Sequence, residues 1–149
     1  MTNIIVDDQT WLDARIKLLE LEKALTQQRE AVAEARRQMP WRAAREDYLF
    51  EGPTGSFRLS ELFGNRGQLI IYHFMFEPGW REGCKHCSFW ADQYDTINLH
   101  IGQRDVALAV ISKAPWQDFE PFKKRMGWQF TWLSSANNRF NEDYHVSFD

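Results

Sequence analysis

In this 149-residue chain the residues best suited to chemistry are its two cysteines, Cys84 and Cys87, three apart in the run "EGCKHCSFWAD". Such a pair can be a working dithiol, half of a metal site, or two small inert residues. Lys85 and His86 stand between them. A cation beside a thiol lowers its pKa from about 8.5, into a range of roughly 3.5 to 7 in motifs of this kind. A lower pKa stabilises the reduced form and makes the corresponding disulfide more oxidising. If the segment is helical, a spacing of three brings the two side chains one above the other, close enough to join. The first sulfur then lies at the helix terminus, where unpaired N–H groups favour a thiolate. The second lies one turn in, suited to resolving a mixed disulfide. Zinc would need further ligands, and there is no second CxxC and no HxxxH; His73, His100 and His145 are scattered. No metal or other cofactor is expected.

What must position the pair is one α/β domain behind a helical arm. Leu18, Leu21, Leu25, Val32 and Ala35 recur at heptad-like spacing, Leu12, Ile16 and Leu19 form an adjoining stripe, and the opposite face is charged. One long helix is therefore expected, capped by Thr10 with Asp13 as its capping-box partner and ended by Gln38-Met39-Pro40. The domain boundaries are placed at 1–39 for the arm and 40–149 for the domain. A helix of this kind packs across the domain or pairs with another chain.

From Tyr48 the period changes. "DYLFEGPTGSFRLSELF" reads as strand, turn, strand and a short helical step, with Gly52-Pro53-Thr54-Gly55 as the turn. "QLIIYHFMF", residues 68 to 76, is apolar on both faces and reads as a strand in the middle of a covered sheet. After a loop, one helix is expected from Cys84, with Trp90, Tyr94, Ile97 and Ile101 on one face and Gly102 as its stop. "DVALAVIS" reads as a second buried strand. Pro115 fits the first turn of a third helix that carries Phe119, Phe122 and Met126 inward and ends at Gly127. "WQFTWLSS" is a further strand. Strand, helix, strand, helix, strand implies a βαβ-type sandwich with at least two parallel strands. The dithiol then follows the C-terminal end of a strand, where sites in open α/β sheets usually lie.

Composition narrows the function classes. The chain is 44% hydrophobic and 26% charged with a net charge of −3, which gives no general reason to expect nucleic acid or an anionic membrane as partner. The basic cluster Arg36, Arg37, Arg42 and Arg45 is broken by Glu34, Glu46 and Asp47 and reads as solvated surface. The N-terminus lacks the basic and apolar regions of a signal peptide, and no window reaches the ~18 apolar residues of a membrane span. A cytoplasmic location is expected, where structural disulfides are rare. With 7 Trp and 11 Phe, ring packing should dominate the interior. His73, inside a strand, reads as packed in or beside the sheet.

The run "LFEGPTGSFRLSELFGNRGQLIIYHFMF" is similar to the opening of peroxiredoxin-like and other thioredoxin-fold proteins. More closely, "QLIIYHFMFEPGW", "GCKHCSFWAD", "RDVALAVISKAP" and "RMGWQFTWLSS" resemble a bacterial thioredoxin-like family of unknown function, from about Met39 to Phe148. The resemblance implies a thioredoxin-like sandwich with Cys84 and Cys87 at the redox position. It brings no substrate. Peroxiredoxins place a Pro and a Thr at fixed spacing before the reactive cysteine; here Pro78 stands six residues before Cys84 with no Thr between. The usual C-terminal strands, and the cis-proline that faces a thioredoxin dithiol, are expected to be lacking, since Pro121 is the last proline. An open sheet edge invites pairing, so a homodimer or larger homo-oligomer is expected.

The resulting expectation is a dithiol–disulfide oxidoreductase in which Cys84 attacks, Cys87 resolves and His86 tunes Cys84. The substrate would be a protein disulfide or a small thiol or peroxide. Two alternatives stand beside it: a peroxiredoxin-like thiol peroxidase, and a thioredoxin-fold binding or assembly module whose partner surface is Trp80, Phe89 and Trp90, rings that otherwise read as core.

Overall fold

A run of alternating leucines and charges dictates the first element, α1 (Asp8–Arg37). The computed structural model describes residues 3–147, and its internal contacts divide the chain into units Met1–Ala43 and Ala44–Asp149. Within the first unit, α1 buries none of its residues, and Leu21 and Leu25 of the heptad seam are 68% and 48% exposed. Its N-cap is Asp7, not Thr10: the Asp7 carboxylate accepts from the Thr10 backbone N–H at 3.0 Å and from its hydroxyl at 2.8 Å. An aspartate reaches the orphan amides one turn on as well as a threonine does, and its charge suits a helix start.

The second unit opens with a hairpin, β1 (Leu49–Gly52) and β2 (Gly55–Arg58), closed by Pro53-Thr54. A 3-10 turn over Leu59–Phe63 follows, then β3 (Gln68–His73). Two helices come next, α2 (Lys85–Ala91) and α3 (Tyr94–Gly102), and then β4 (Val106–Ser112), α4 (Trp116–Met126), β5 (Trp132–Ser134) and α5 (Phe140–Asp143). The sheet order is β2-β1-β5-β4-β3, with β3, β4 and β5 parallel and the hairpin antiparallel. This is the α/β layout anticipated from the alternation of strand and helix periods, with a long N-terminal helix.

Two expectations are corrected. β3 is not central: among the described residues it pairs only with β4 and ends the sheet. Nor is it covered on both faces: its residues are exposed or only partly buried, and Ile70 is 48% exposed. The single helix foreseen from Cys84 is two, because Asp92 and Gln93 interrupt it. The Trp128 indole donates to the Asp92 carboxylate at 2.9 Å, and the Gln129 N–H donates to Asp95 at 2.9 Å. Both acceptors are thus bound by the segment leading to β5, which fixes the two helices separately. After β5 the chain forms α5. The remaining helix keeps its expected bounds: Pro115 stands at its start and Gly127 ends it in the left-handed conformation (φ 76°), where a side chain is disfavoured.

Alternate residues of the strands serve two cores. On one face Phe74, Phe76, Val110, Phe119, Phe122, Trp128, Phe130 and Trp132 are buried together; on the other, Tyr48, Phe50, Ile111, Leu133 and Phe140. Trp132 is the hub of the first face. It stacks on Phe119 with centroids 4.6 Å apart and lies 4.6 Å from Phe74. Its indole N–H donates to the Ser112 hydroxyl at 2.9 Å, and that hydroxyl donates to the Phe74 carbonyl at 2.7 Å. The polar edge of a buried ring is thereby satisfied, as burial demands. In the second core the Tyr48 hydroxyl donates to Asp143 at 2.8 Å, and Arg45 pairs with the same carboxylate at 2.6 Å. Burial and the neighbouring carboxylate push the Tyr48 phenol up to about 12. The Tyr48 bond holds the Asp143 carboxyl below its ordinary range, with the Arg45 and Arg139 charges adding to it.

Two outcomes follow. Trp132→Ala removes the hub and leaves the Ser112 hydroxyl without its donor, so it should cost about 3–5 kcal/mol of unfolding free energy in a urea titration; a loss under one kcal/mol would contradict the packing described. For Asp143 the native pKa is depressed, so its stabilisation is present above the ordinary carboxylate range and is lost as the pH falls through the native value. Asp143→Asn should lower the urea midpoint at neutral pH and flatten the fall of that midpoint in acid.

Candidate functional site

The dithiol lies where β3 hands the chain to α2. Beyond His73 the backbone keeps to the β4 side: the Phe74 N–H donates to the Ile111 carbonyl at 2.9 Å and the Ala114 N–H to the Phe76 carbonyl at 3.1 Å. The loop then turns back, and the Cys84 N–H meets the Met75 carbonyl at 3.4 Å. Two further ties hold this loop against α4. The Gly79 N–H donates to the Asp118 carboxylate at 2.8 Å, and Glu82 pairs with Arg125 at 3.1 Å.

Gly83 is what lets the helix start so close to the core. A Cβ at this residue would stand 2.7 Å from Phe74 Cε1 and 2.8 Å from Phe122 Cε1, inside the distance that carbon atoms tolerate. Any other residue would push the start of α2 off the aromatic face. Reading the loop "PGWREGC" as composition alone gave no sign of this, because the two rings it meets come from β3's extension and from α4.

Cys84 is the N-cap of α2 and Cys87 lies within its first turn. Both are free thiols and both are partly buried. Cys87 packs against the Trp132 core, while Lys85 and His86 point to solvent. The Cys84 carbonyl accepts from the Ser88 N–H and from its hydroxyl, each at 2.9 Å, which holds the cap in place. The Cys84 side chain makes no capping bond as a thiol. Its pKa is nonetheless lowered, chiefly by the Cys87 backbone N–H, then by the Cys87 thiol and the His86 backbone N–H, against a raising effect of burial. A thiolate accepts where a thiol barely does, so these donors favour the charged form.

The group of His86 that acts on Cys84 is its backbone amide, and neither its imidazole nor the Lys85 ammonium is among the causes of the lowering. Among the described residues no group of three or more His, Cys, Asp or Glu side chains is placed to hold a metal ion. No helix among them is long and apolar enough to cross a membrane. His73 lies on the opposite face, its ring stacked on Phe140 at 5.3 Å, where burial lowers its pKa.

Two tyrosines that the sequence reading did not single out for chemistry pack against the same core cluster as Cys87. Tyr72 on β3 and Tyr94 at the start of α3 lie with ring centroids 5.0 Å apart, and both pack with Cys87 against the core. Tyr72 sat inside an unbroken apolar run and Tyr94 on a helix face, and neither position hinted at a core shared with Cys87. The aromatic residues near the motif depart from expectation too. Phe89 and Trp90 are 69% and 60% exposed, edge to face at 5.8 Å, and Trp80 is 39% exposed. They are surface, not core.

Over residues 1–149 the chain matches the family described as bacterial protein of unknown function, DUF899. The chain belongs to that family. No curated protein matches it in sequence. A crystal structure of a candidate thiol-disulfide oxidoreductase from Bacteroides vulgatus is similar over 70% of this chain and 70% of that chain, at 14% identity and a TM-score of 0.47. A likeness of that size transfers neither an activity nor a substrate to a DUF899 chain.

The geometry makes a measurable demand on Cys84. Alkylation followed residue by residue in a mass spectrometer should show Cys84 reacting with a pH midpoint below that of the same cysteine in the urea-unfolded chain. His86→Ala should keep that lowering, because it keeps the amide; coincident midpoints in folded and unfolded chains would remove the electrostatic basis of the site.

Proposed function

We propose that this protein is a dithiol–disulfide oxidoreductase that uses the Cys84-Lys85-His86-Cys87 motif. The observation that carries the reading is the pair of free thiols at the start of α2, with Cys84 held toward its thiolate by the amides of the turn it caps. The Cys84 thiolate attacks one sulfur of a substrate disulfide, forming a mixed disulfide and releasing one substrate thiolate. Cys87 then attacks the Cys84 sulfur, the Cys84–Cys87 disulfide forms, and the second substrate thiol leaves with the proton that Cys87 gave up. The substrate gains two electrons and the motif loses two; an external thiol or dithiol reductant closes the cycle. Run backwards, the same steps oxidise a substrate dithiol. A cytoplasmic setting and a second copy of the chain as partner belong to this proposal.

Phe89 and Trp90 suit such a role because they offer apolar surface beside the motif, and exposed rings of this kind commonly mark contact with a polypeptide. The same observation favours a second reading, a binding module that does not turn over. Cys84→Ser separates the two readings. The oxidoreductase loses reduction of an aromatic disulfide altogether, whereas a binding module has no such activity to lose and keeps its partner.

If the proposal holds, Cys87→Ser accumulates a mixed disulfide visible by mass under non-reducing conditions. Phe89→Ala with Trp90→Ala raises KM several-fold for a protein disulfide and leaves a small disulfide unaffected. Absence of any reversible Cys84–Cys87 disulfide across glutathione redox buffers would end it.

A further inference from the structure

The C-terminal ends of β3 and β4 carry a second set of polar groups, which the dithiol chemistry leaves unused. His73 stands beside Ile111 in the parallel register, and the backbone bonds of Phe74 and Ala114 continue that pairing as far as Phe76. Side chains of an extended chain alternate between faces. Phe74 and Phe76 therefore turn into the Trp132 core, while His73, Met75 and Glu77 turn to the other face with Ile111 and Lys113 of the neighbouring strand. There they line a cavity of about 460 Å³, to whose wall Asn141, Val146 and Ser147 also belong. Small-molecule sites have this size, about 300–1,000 Å³, and open α/β sheets hold them at the carboxyl ends of their strands.

Lys113 and Glu77 bring opposite charges to this wall without meeting: among the described residues neither side chain has an ion-pair or hydrogen-bond partner. The imidazole of His73 is fixed by stacking on Phe140 at 5.3 Å, and its Nδ1 is enclosed with no hydrogen-bond partner. Burial lowers the ring's pKa and Asn141 opposes it, without giving Nδ1 a partner. A buried polar atom left unpaired costs stability, and native proteins keep few of them. Asn141 is held as firmly. Its side-chain oxygen accepts from the Ser135 hydroxyl at 3.2 Å, which leaves its NH₂ group as a donor. Its carbonyl accepts from the Val146 and Ser147 N–H groups at 2.9 and 3.3 Å, which keeps both residues at the wall. A lone anion would meet the Glu77 carboxylate here and a lone cation the Lys113 ammonium, so the wall matches a ligand that carries both charges. We infer that the cavity binds a small zwitterion of the α-amino-acid type. Lys113 and the Asn141 amide take its carboxylate, Glu77 takes its ammonium, His73 forms the polar floor, and its side chain lies on Met75, Ile111 and Val146. The inference stands apart from the dithiol reading, since none of these side chains takes part in sulfur exchange. The two sites nevertheless share a segment: the Met75 carbonyl accepts from the Cys84 N–H at 3.4 Å, so residues 73–77 serve both.

Saturation-transfer NMR on the full chain, against pools of the free L-amino acids, finds the ligand, and calorimetry then measures it beside two analogues. One analogue is the amine that lacks its carboxylate, the other the acid that lacks its ammonium. At least one amino acid should bind, and each analogue should bind about tenfold more weakly, the scale of one hydrogen bond to a charged group. Lys113→Met should weaken the amino acid and the acid about tenfold and leave the amine unchanged. Glu77→Gln should weaken the amino acid and the amine and leave the acid unchanged. Neither residue is buried, so both variants keep the fold. His73→Phe, which keeps a stacked ring and removes its nitrogens, should weaken the amino acid several-fold. Failure of every amino acid to bind overturns the inference. An analogue that binds as tightly as its parent overturns it too, as the sign that one of the two charges is not read. Binding that Lys113→Met and Glu77→Gln both leave unchanged lies elsewhere on the chain and has the same consequence.

Discussion

The packing of Trp132 against Phe74, Phe119 and Phe122 is the constraint on which the second unit depends. These four rings come from β5, from the extension of β3 and from α4, so no local segment can form the cluster alone. Its polar requirement is met along one line, from the Trp132 indole to the Ser112 hydroxyl and on to the Phe74 carbonyl. That line ties the start of β5 to the C-terminal ends of β3 and β4, and the dithiol follows the β3 end. Phe74 and Phe122 then reappear as the surfaces that meet the Cα of Gly83. The core that holds the sheet together and the seat of Cys84 are thus the same rings seen from two sides. A change in one cannot leave the other untouched.

How far the sequence foretold this depends on the range of the forces involved. Elements set by local chemistry were legible: the Pro53-Thr54 hairpin, the Pro115 start and Gly127 stop of α4, and the parallel strands read from "QLIIYHFMF" and "DVALAVIS". Even the cysteine at the start of a helix was legible, since a strand, a glycine-containing loop and a helical period in that order leave little choice. What escaped was decided from far along the chain. The break between α2 and α3 answers to donors on Trp128 and Gln129, more than thirty residues away. The lateral place of β3 is a matter of pairing, to which a hydrophobic run is blind. Tyr72, Tyr94 and Cys87 meet one core only once the elements that carry them have folded together.

The surroundings of Cys84 carry a more general lesson. Charge beside a thiol in sequence suggested tuning by a cation, and Lys85 and His86 supplied two. In the folded turn both side chains face water, where their fields are weakened by the solvent, while the amides of the same turn are fixed and face the sulfur. Tuning by amides differs from tuning by an imidazole in one respect that matters for function. An imidazole loses its charge across the physiological range. An amide does not titrate, so the acidity it confers on Cys84 stays constant while the pH of the surroundings changes.

A similar contrast separates the rings inside from those outside. Phe74, Phe122 and Trp132 lie below the motif and are fully enclosed, whereas Phe89 and Trp90 follow it in α2 and are largely exposed. The helix is only seven residues long and spends its inward side on Cys87 and Ala91. Two large apolar side chains on its outer side contribute nothing to the enclosed core. Single exposed rings are common on soluble proteins, but an edge-to-face pair two and three residues past a dithiol is an organised apolar surface. A short helix thus carries a sulfur face turned to the core and a ring face turned outward, and under the dithiol proposal the ring face is the surface that would take hold of apolar chain while the cap presents its sulfur.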